Sequence, residues 1–531
     1  MSEWWKGAVV YQVYPRSFYD QRGDGIGDLP GITDKLDYIA NLGVDAIWMC
    51  PFFRSPMKDF GYDVCDFTDV DPQFGSIADF DVLVERAHER GLKVIIDQVN
   101  SHCSDQMPWF VESRSSRDNA KADWFIWKDA KPDGSPPNNW QSIFGGPSWT
   151  WDTRRRQYYL HNFLASQPDL NIRNTEVQDA LIDVARFWLN RGVDGLRLDA
   201  VNFYTCDPEF SDNPPNEDQS AVKPYYMQLH EKDINHPDTL AFLRRLRAEL
   251  DEKPGRFAVA EVFEENPTGR SVDYTNAPDL IHTAYNFSYL YLDGKVTAEE
   301  LRVPIRIWEE GGKGAWPSWA FSNHDTPRVI TRWRGATANE SHATLFLGLL
   351  IALRGTIFLY QGEELGLPQS DVAFEFLQDP EAITNWPETL GRDGCRTPMP
   401  WRANAPFAGF STSDPWLPVP AAHAERAIDL QEAATGSVLS HARKMLALRK
   451  DRLALREGAL ELLDVDEPFL AFIRRHDSGD ILVVLNISDQ SAHLPISGTT
   501  VVKPLFLTQG VEIGSEQITC PPNAVAWLEL G

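Results

Sequence analysis

Short, continuous apolar runs recur along the first two-thirds of this chain, each separated from the next by a longer stretch of helical character. The runs are Val9–Tyr14, Val44–Met49, Leu92–Val99, Gly195–Asp199, Phe257–Val262, His282–Phe287, Trp319–Asn323 and Thr356–Gln361. Runs of this kind suit strands buried on both faces, and such strands belong to parallel sheets covered by helices. The stretches between keep a 3.6-residue period. From Ser76 to Arg90, Phe80, Leu83, Val84 and Ala87 fall on one face, with Ser76 as the cap and Gly91 as the stop. Thr175-Glu-Val-Gln178 reads as a capping box before a helix that carries Leu181, Val184, Ala185 and Trp188 and ends at Gly192. Eight strands alternating with helices predict a (β/α)8 TIM barrel.

Two stretches break the alternation. Residues 103–170 are rich in Trp, Pro, Asn and Gly and read as a domain inserted after the third strand. Residues 203–238 are polar and Pro-rich and read as a long loop after the fourth; loops this long in a compact domain usually serve a site. From about residue 456 the period falls to two, in Phe469–Ile473 and Ile481–Leu485, which predicts a C-terminal antiparallel β domain. The expected division is barrel over 1–102 and 171–455, insertion over 103–170 and β-sandwich over 456–531.

Three carboxylates follow apolar runs: Asp199 in Gly195–Ala200, Glu261 in Ala258–Val262 and Asp325 after Asn323-His324. One such Asp is ordinarily a helix cap or a strand-end residue. Three in order, at strand ends that open into a barrel mouth, are where catalytic groups collect. Two of them can serve as nucleophile and proton donor on a glycosidic bond. Arg197 stands two residues before Asp199, so in a strand both side chains point the same way.

The net charge of −27 argues against nucleic acid, anionic membrane or a polyanionic substrate as partner, and suits a neutral one. Some of the 18 Trp are expected in a cleft, where sugar C–H faces stack on aromatic rings. No basic-then-apolar leader opens the chain, and no apolar run reaches the roughly 20 residues of a spanning helix. The six cysteines lack Cys-x-x-Cys spacing and read as reduced thiols of a cytoplasmic protein.

Asp97-Gln-Val-Asn-Ser-His102, Gly195-Leu-Arg-Leu-Asp199, the segment around Glu261 and Asn323-His-Asp325 resemble the ordered signature regions of the α-amylase family of glycoside hydrolases. Gln167-Pro-Asp-Leu-Asn171, Gly362-Glu-Glu-Leu-Gly366 and Gly391-Arg-Asp-Gly-Cys-Arg-Thr-Pro-Met-Pro-Trp401 resemble its α-glucosidase and oligo-1,6-glucosidase branch. The resemblance implies a barrel, an inserted domain after strand three and a β-sandwich. It implies Asp199 as nucleophile, Glu261 as general acid/base, less solvated and of higher pKa, and Asp325 as a third carboxylate gripping sugar hydroxyls. Arg197 would keep Asp199 ionised, and His102 and His324 would hydrogen-bond the sugar. Asp59, Tyr62 and Arg392 would close the far end of the first sugar site, with Phe144, Phe163 and Gln167 as walls.

Asp20-Gln-Arg-Gly-Asp-Gly-Ile-Gly-Asp28 resembles a calcium loop, with Asp20, Asp24 and Asp28 as side-chain ligands and Ile26 through its carbonyl. Arg22 departs from that pattern and is expected to offer only its backbone oxygen, its side chain turned out. One structural calcium or magnesium ion is therefore expected; a metal-free turn is the alternative.

The resemblance implies an exo-acting, retaining α-glucosidase that acts on short oligosaccharides or disaccharides and also transfers glucosyl units. In relatives, Val after the nucleophile goes with α-1,6 cleavage and Thr or Ala with α-1,4, so Ala200 points to α-1,4. The alternatives are an oligo-1,6-glucosidase, a sucrose- or trehalose-type glucosyl-transferring isomerase, and a non-catalytic homologue. The Arg-Leu-Asp-Arg-Leu run of isomaltulose-forming relatives is not seen.

Overall fold

The computed structural model describes residues 3–218, 222–263, 266–312, 314–389, 391–496 and 501–531. Eight parallel strands form its centre: β1 Val9–Val13, β2 Ala46–Met49, β3 Lys93–Val99, β4 Gly195–Asp199, β5 Phe257–Glu261, β6 Thr283–Tyr285, β7 Ser318–Ala320 and β8 Thr356–Tyr360. Their order is β6-β5-β4-β3-β2-β1-β8-β7. The two ends of the sheet meet through side chains. Thr283 Oγ1 donates to Trp316 O at 2.7 Å and Ser318 Oγ donates to Ala284 O.

Strand alternation sorts the apolar residues into two layers. Val10, Ala46, Trp48, Ile95, Phe257, Val259, Ala320 and Phe358 fill the barrel interior. Tyr11, Ile47, Met49, Ile96, Leu196, Leu198, Ala258 and Leu359 pack outward on the helices. The helix Ile77–Glu89 buries Phe80, Leu83, Val84 and Ala87 and opens with a capping box between Ser76 and Asp79. The helix Thr175–Asn190 differs from expectation: Asn174, not Thr175, is its cap, accepting from Glu176 N, and no reciprocal box forms. Gln178, the expected partner, instead donates to Ile172 O at 2.7 Å. The seventh strand also differs. It ends at Ala320, and Phe321–Asn323 run on as buried, non-strand chain.

Between β3 and the helix Thr175–Asn190, Trp127–Lys128, Gln157–Leu160 and Trp149–Asp152 form a small antiparallel sheet. At the C-terminus a five-stranded antiparallel sheet faces a three-stranded one. Phe469, Ala471, Ile473, Leu482 and Val484 point toward Leu494, Ile518 and Cys520 of the smaller sheet, while Leu470, Phe472, Val483 and Trp527 join the core shared with the barrel helices. Period-two strands are thus apolar on both faces, each face having its own partner. All six cysteines are unpaired, and among the described residues no helix is long and apolar enough to cross a membrane.

Candidate active site

The C-terminal ends of the barrel strands open into a pocket of about 240 Å³. Asp199 and Glu261 are the last residues of β4 and β5, and Leu198 pairs with Ala260 in register, so the two carboxyls leave neighbouring strands at the same level. Asp325 lies beyond the end of β7, in the loop, and its side chain is 33% exposed.

Arg197 lies beneath the first two carboxyls. Its Nη1 donates to Asp97 Oδ1 at 2.8 Å and to Asp199 Oδ1 at 2.5 Å, and its Nη2 pairs with Glu261 Oε1. Glu261 Oε2 accepts from the backbone N–H of Ala200 at 3.0 Å. Among the described residues no hydrogen bond engages the second oxygen of Asp199. Burial pushes the Asp199 carboxyl up to about 7, although Arg197 pulls it down. Burial does the same to Glu261, also to about 7 and also opposed by Arg197. Arg197, expected to keep Asp199 ionised, thus opposes desolvation at both carboxyls. Bridged by one guanidinium, the two carboxyls titrate as a pair.

Asp325 behaves oppositely. Enclosure raises its pKa, but His324 and the guanidiniums of Arg396 and Arg392 hold it well below the usual carboxylate range. Arg396 Nη2 donates to Asp325 Oδ1 at 2.7 Å, while its Nε donates to His324 O at 2.6 Å.

The inner end of the pocket is closed by a polar ring. Arg392 Nη2 donates to Asp59 Oδ1 at 2.8 Å, Gln167 Nε2 donates to Asp59 Oδ2 at 3.0 Å, and the same amide lies 3.2 Å from His102 Nε2. Arg392 is gripped from behind by both oxygens of Asp379, at 2.8 and 3.1 Å, and lies over the Phe144 ring. Burial raises the Asp59 pKa against the pull of Arg392. Burial also lowers His102 and His324 to about 3, so both are neutral imidazoles.

Asp59, Tyr62, His102, Phe144, Phe163, Ala200 and Arg392 join the three carboxyls in lining the pocket. Gln167, Arg197 and His324 stand behind the wall. The His324 ring lies between Tyr14 and Tyr62, with the Tyr62 hydroxyl 2.6 Å from its Nε2. Arg396, Asp379, Lys223, Glu381 and the aromatic residues Phe203, Phe263, Phe287 and Tyr291 belong to the site or its support and were not anticipated as site residues. Arg396 could have been found, since it shares the Gly391–Trp401 motif with Arg392; Lys223 and Glu381 have no local signal.

The 20–28 turn does not fit a divalent ion. Asp20 accepts from Gly23 N, Gly25 N and Ser411 Oγ, and Asp28 accepts from Gly31 N. Contrary to expectation the Arg22 side chain turns inward, with Nε 3.3 Å from Asp28 Oδ2 and Nη2 3.7 Å from Asp24 Oδ2. Asp24 Oδ1 accepts from the backbone of Ile26, whose carbonyl was the expected ligand. Among the described residues no three His, Cys, Asp or Glu gather as a metal cage. The Arg22 guanidinium supplies positive charge to Asp24 and Asp28, while Asp20 is held by backbone N–H groups and the Ser411 hydroxyl.

A barrel with paired carboxyls at its strand ends and a closed sugar-sized pocket is the architecture of a glycoside hydrolase. The family description "Alpha amylase, catalytic domain" matches residues 12–458, and the chain belongs to the α-amylase family, in its α-glucosidase branch. It is 51% identical over 500 residues to a probable alpha-glucosidase of Rhizobium meliloti (strain 1021), covering 92% of this chain and 90% of that one. It is 37% identical to an oligo-1,6-glucosidase of Heyndrickxia coagulans, over 92% and 93% of the two chains. Among solved structures, an alpha-glucosyl transfer enzyme superposes with a TM-score of 0.96 at 49% identity, covering 100% of both chains. An isomaltulose synthase mutant from Erwinia rhapontici NX5 superposes at 0.91 with 32% identity and the same coverage.

Proposed function

We propose that the protein is an exo-acting, retaining α-glucosidase that removes one glucosyl unit from the non-reducing end of short, α-1,4-linked glucosides and also passes that unit to sugar acceptors. One arrangement carries this reading: Asp59 and Arg392, braced by Gln167 from behind the wall, close the inner end of the pocket that the carboxyl pair lines. A closed inner end admits a chain terminus and not a chain interior.

Asp199 and Glu261 leave neighbouring strands in register and share one Arg197 guanidinium, a closeness that suits the roughly 5–5.5 Å carboxyl separation of retaining enzymes better than the roughly 6.5–9.5 Å of inverting ones. The free oxygen of Asp199 attacks the anomeric carbon. Glu261 donates its proton to the glycosidic oxygen, the C–O bond breaks, and the aglycone leaves as an alcohol. The glucosyl ester on Asp199 is then opened by water or by a sugar hydroxyl, which gives its proton to Glu261, and the configuration is retained overall. Arg197, bonded to both carboxyls, holds them in place through both steps. Asp325, kept anionic, accepts hydroxyl hydrogen bonds that strengthen as the ring distorts.

Ala200 supports the α-1,4 assignment, because its small side chain leaves room beside the nucleophile. The apolar aglycone half, with Phe203, Phe263, Phe287 and Tyr291, suits a sugar acceptor in competition with water. Initial rates on maltose, isomaltose and sucrose, with NMR of the first-formed glucose, test the proposal. Maltose should lead isomaltose by roughly tenfold to a few hundredfold, and the α anomer should appear first. Internal cleavage of starch, or β-glucose as first product, would overturn it.

A further inference from the structure

We propose that Lys223 and Glu381 form an ionic strap across the pocket mouth that limits the aglycone to a single sugar ring; this rests on the α-glucosidase reading. Lys223 lies in the loop after β4, and Glu381 lies in the helix Pro380–Asn385 after β8. In the sheet order β4 stands four strands from β8 in either direction, so the two are opposite staves of the barrel. Lys223 Nζ and a carboxyl oxygen of Glu381 nevertheless meet as an ion pair, and both residues line the pocket. The contact therefore spans the opening.

The pair is largely shielded, with side-chain exposures of 15% and 13%. Shielding from water strengthens the attraction relative to an exposed pair. The two anchors differ. Asp379 Oδ1 accepts from Glu381 N at 3.2 Å, and the same Asp379 grips Arg392, which closes the inner end of the pocket. Glu381 thus belongs to the frame that fixes the glucosyl unit. Lys223 has exposed neighbours in Val222 at 56%, Tyr226 at 43% and Met227 at 47%, with Tyr225 buried among them and stacked on His230. The same pocket is lined by Phe263, Phe287 and Tyr291. A disaccharide fits beneath the closed strap, whereas a third sugar must part the pair.

The test is the kcat/KM ratio of maltotriose to maltose in wild type, Lys223→Ala, Glu381→Gln and the charge swap K223E/E381K. A ratio within one preparation does not depend on the fraction folded. Each single substitution should raise the ratio by about 3- to 10-fold, and the swap should return it toward wild type. Unchanged ratios in both single variants, or a swap that raises the ratio as the singles do, overturn the strap. Wild-type turnover of p-nitrophenyl α-glucoside separates the two levels. If wild type turns over no α-glucoside at all, the enzyme reading falls and the strap with it; if it does and the ratios stay flat, only the strap falls.

Discussion

The backbone N–H of Ala200 donates to Glu261 Oε2 at 3.0 Å, so the residue that follows one carboxyl of the pair holds the other. The bond is aimed by an uncommon backbone: Ala200 sits at φ 45 and ψ 47, in the left-handed region. Its side chain was expected to matter for linkage; its main chain also matters for the geometry of the pair.

A β-branched residue in that conformation is strained by roughly 1–3 kcal/mol. Ala200→Val should therefore lower the melting temperature and kcat on maltose while raising the isomaltose-to-maltose ratio. Melting curves and parallel kinetics read both effects. An unchanged ratio would remove the Ala200 side chain from the linkage account.

Asp199→Ala should reduce kcat by several orders of magnitude with the fold intact, since Arg197 keeps Asp97 and Glu261 as partners. Azide added to the variant should restore turnover and yield the inverted β-glucosyl azide, detected by NMR. Near-normal activity without azide would exclude Asp199 as nucleophile.

Burial raises Asp199 and Glu261 to about 7, above the roughly 4 of free carboxyls. The folded chain thus binds more protons than the unfolded one between those values. The associated stability is present below about 4 and is lost as pH rises through about 7. Glu261→Gln should consequently be more stable than wild type at pH 8 and no more stable at pH 4, by calorimetry. Wild-type kcat/KM should fall above about 7 as the pair loses its shared proton. His102 and His324, at about 3, cannot produce that limb.

With Arg22 occupying the 20–28 turn, a chelator should leave the melting temperature unchanged. Arg22→Asn should lower it, and calcium should restore part of the loss in the variant only. A drop on chelating the wild type would show that an ion binds there despite the guanidinium.

The carboxyl pair was legible because strand-end placement is written locally, in an apolar run followed by Asp or Glu. The small sheet of Trp127–Lys128, Trp149–Asp152 and Gln157–Leu160 falls within a stretch whose composition breaks the alternation. Arg197 was legible too, through the two-residue period of a strand. What escaped was of other kinds. The Asn174 cap lies one residue outside the expected box, and nothing in the sequence separates two adjacent cap formers. The inward turn of Arg22 depends on side-chain choice among nearby carboxylates. Glu381 and Lys223 are 158 residues apart and meet only because the barrel brings strands four and eight face to face.

Among the described strands, β6 and β7 are the neighbours held by side-chain oxygens and not by a backbone ladder. Asp325 hangs beyond β7 on one side of that join, and Asp199 and Glu261 hang from β4 and β5 on the other. Two side-chain bonds are little to hold a seam that stands between the third carboxyl and the other two, so turnover should begin to fall on warming before circular dichroism reports unfolding.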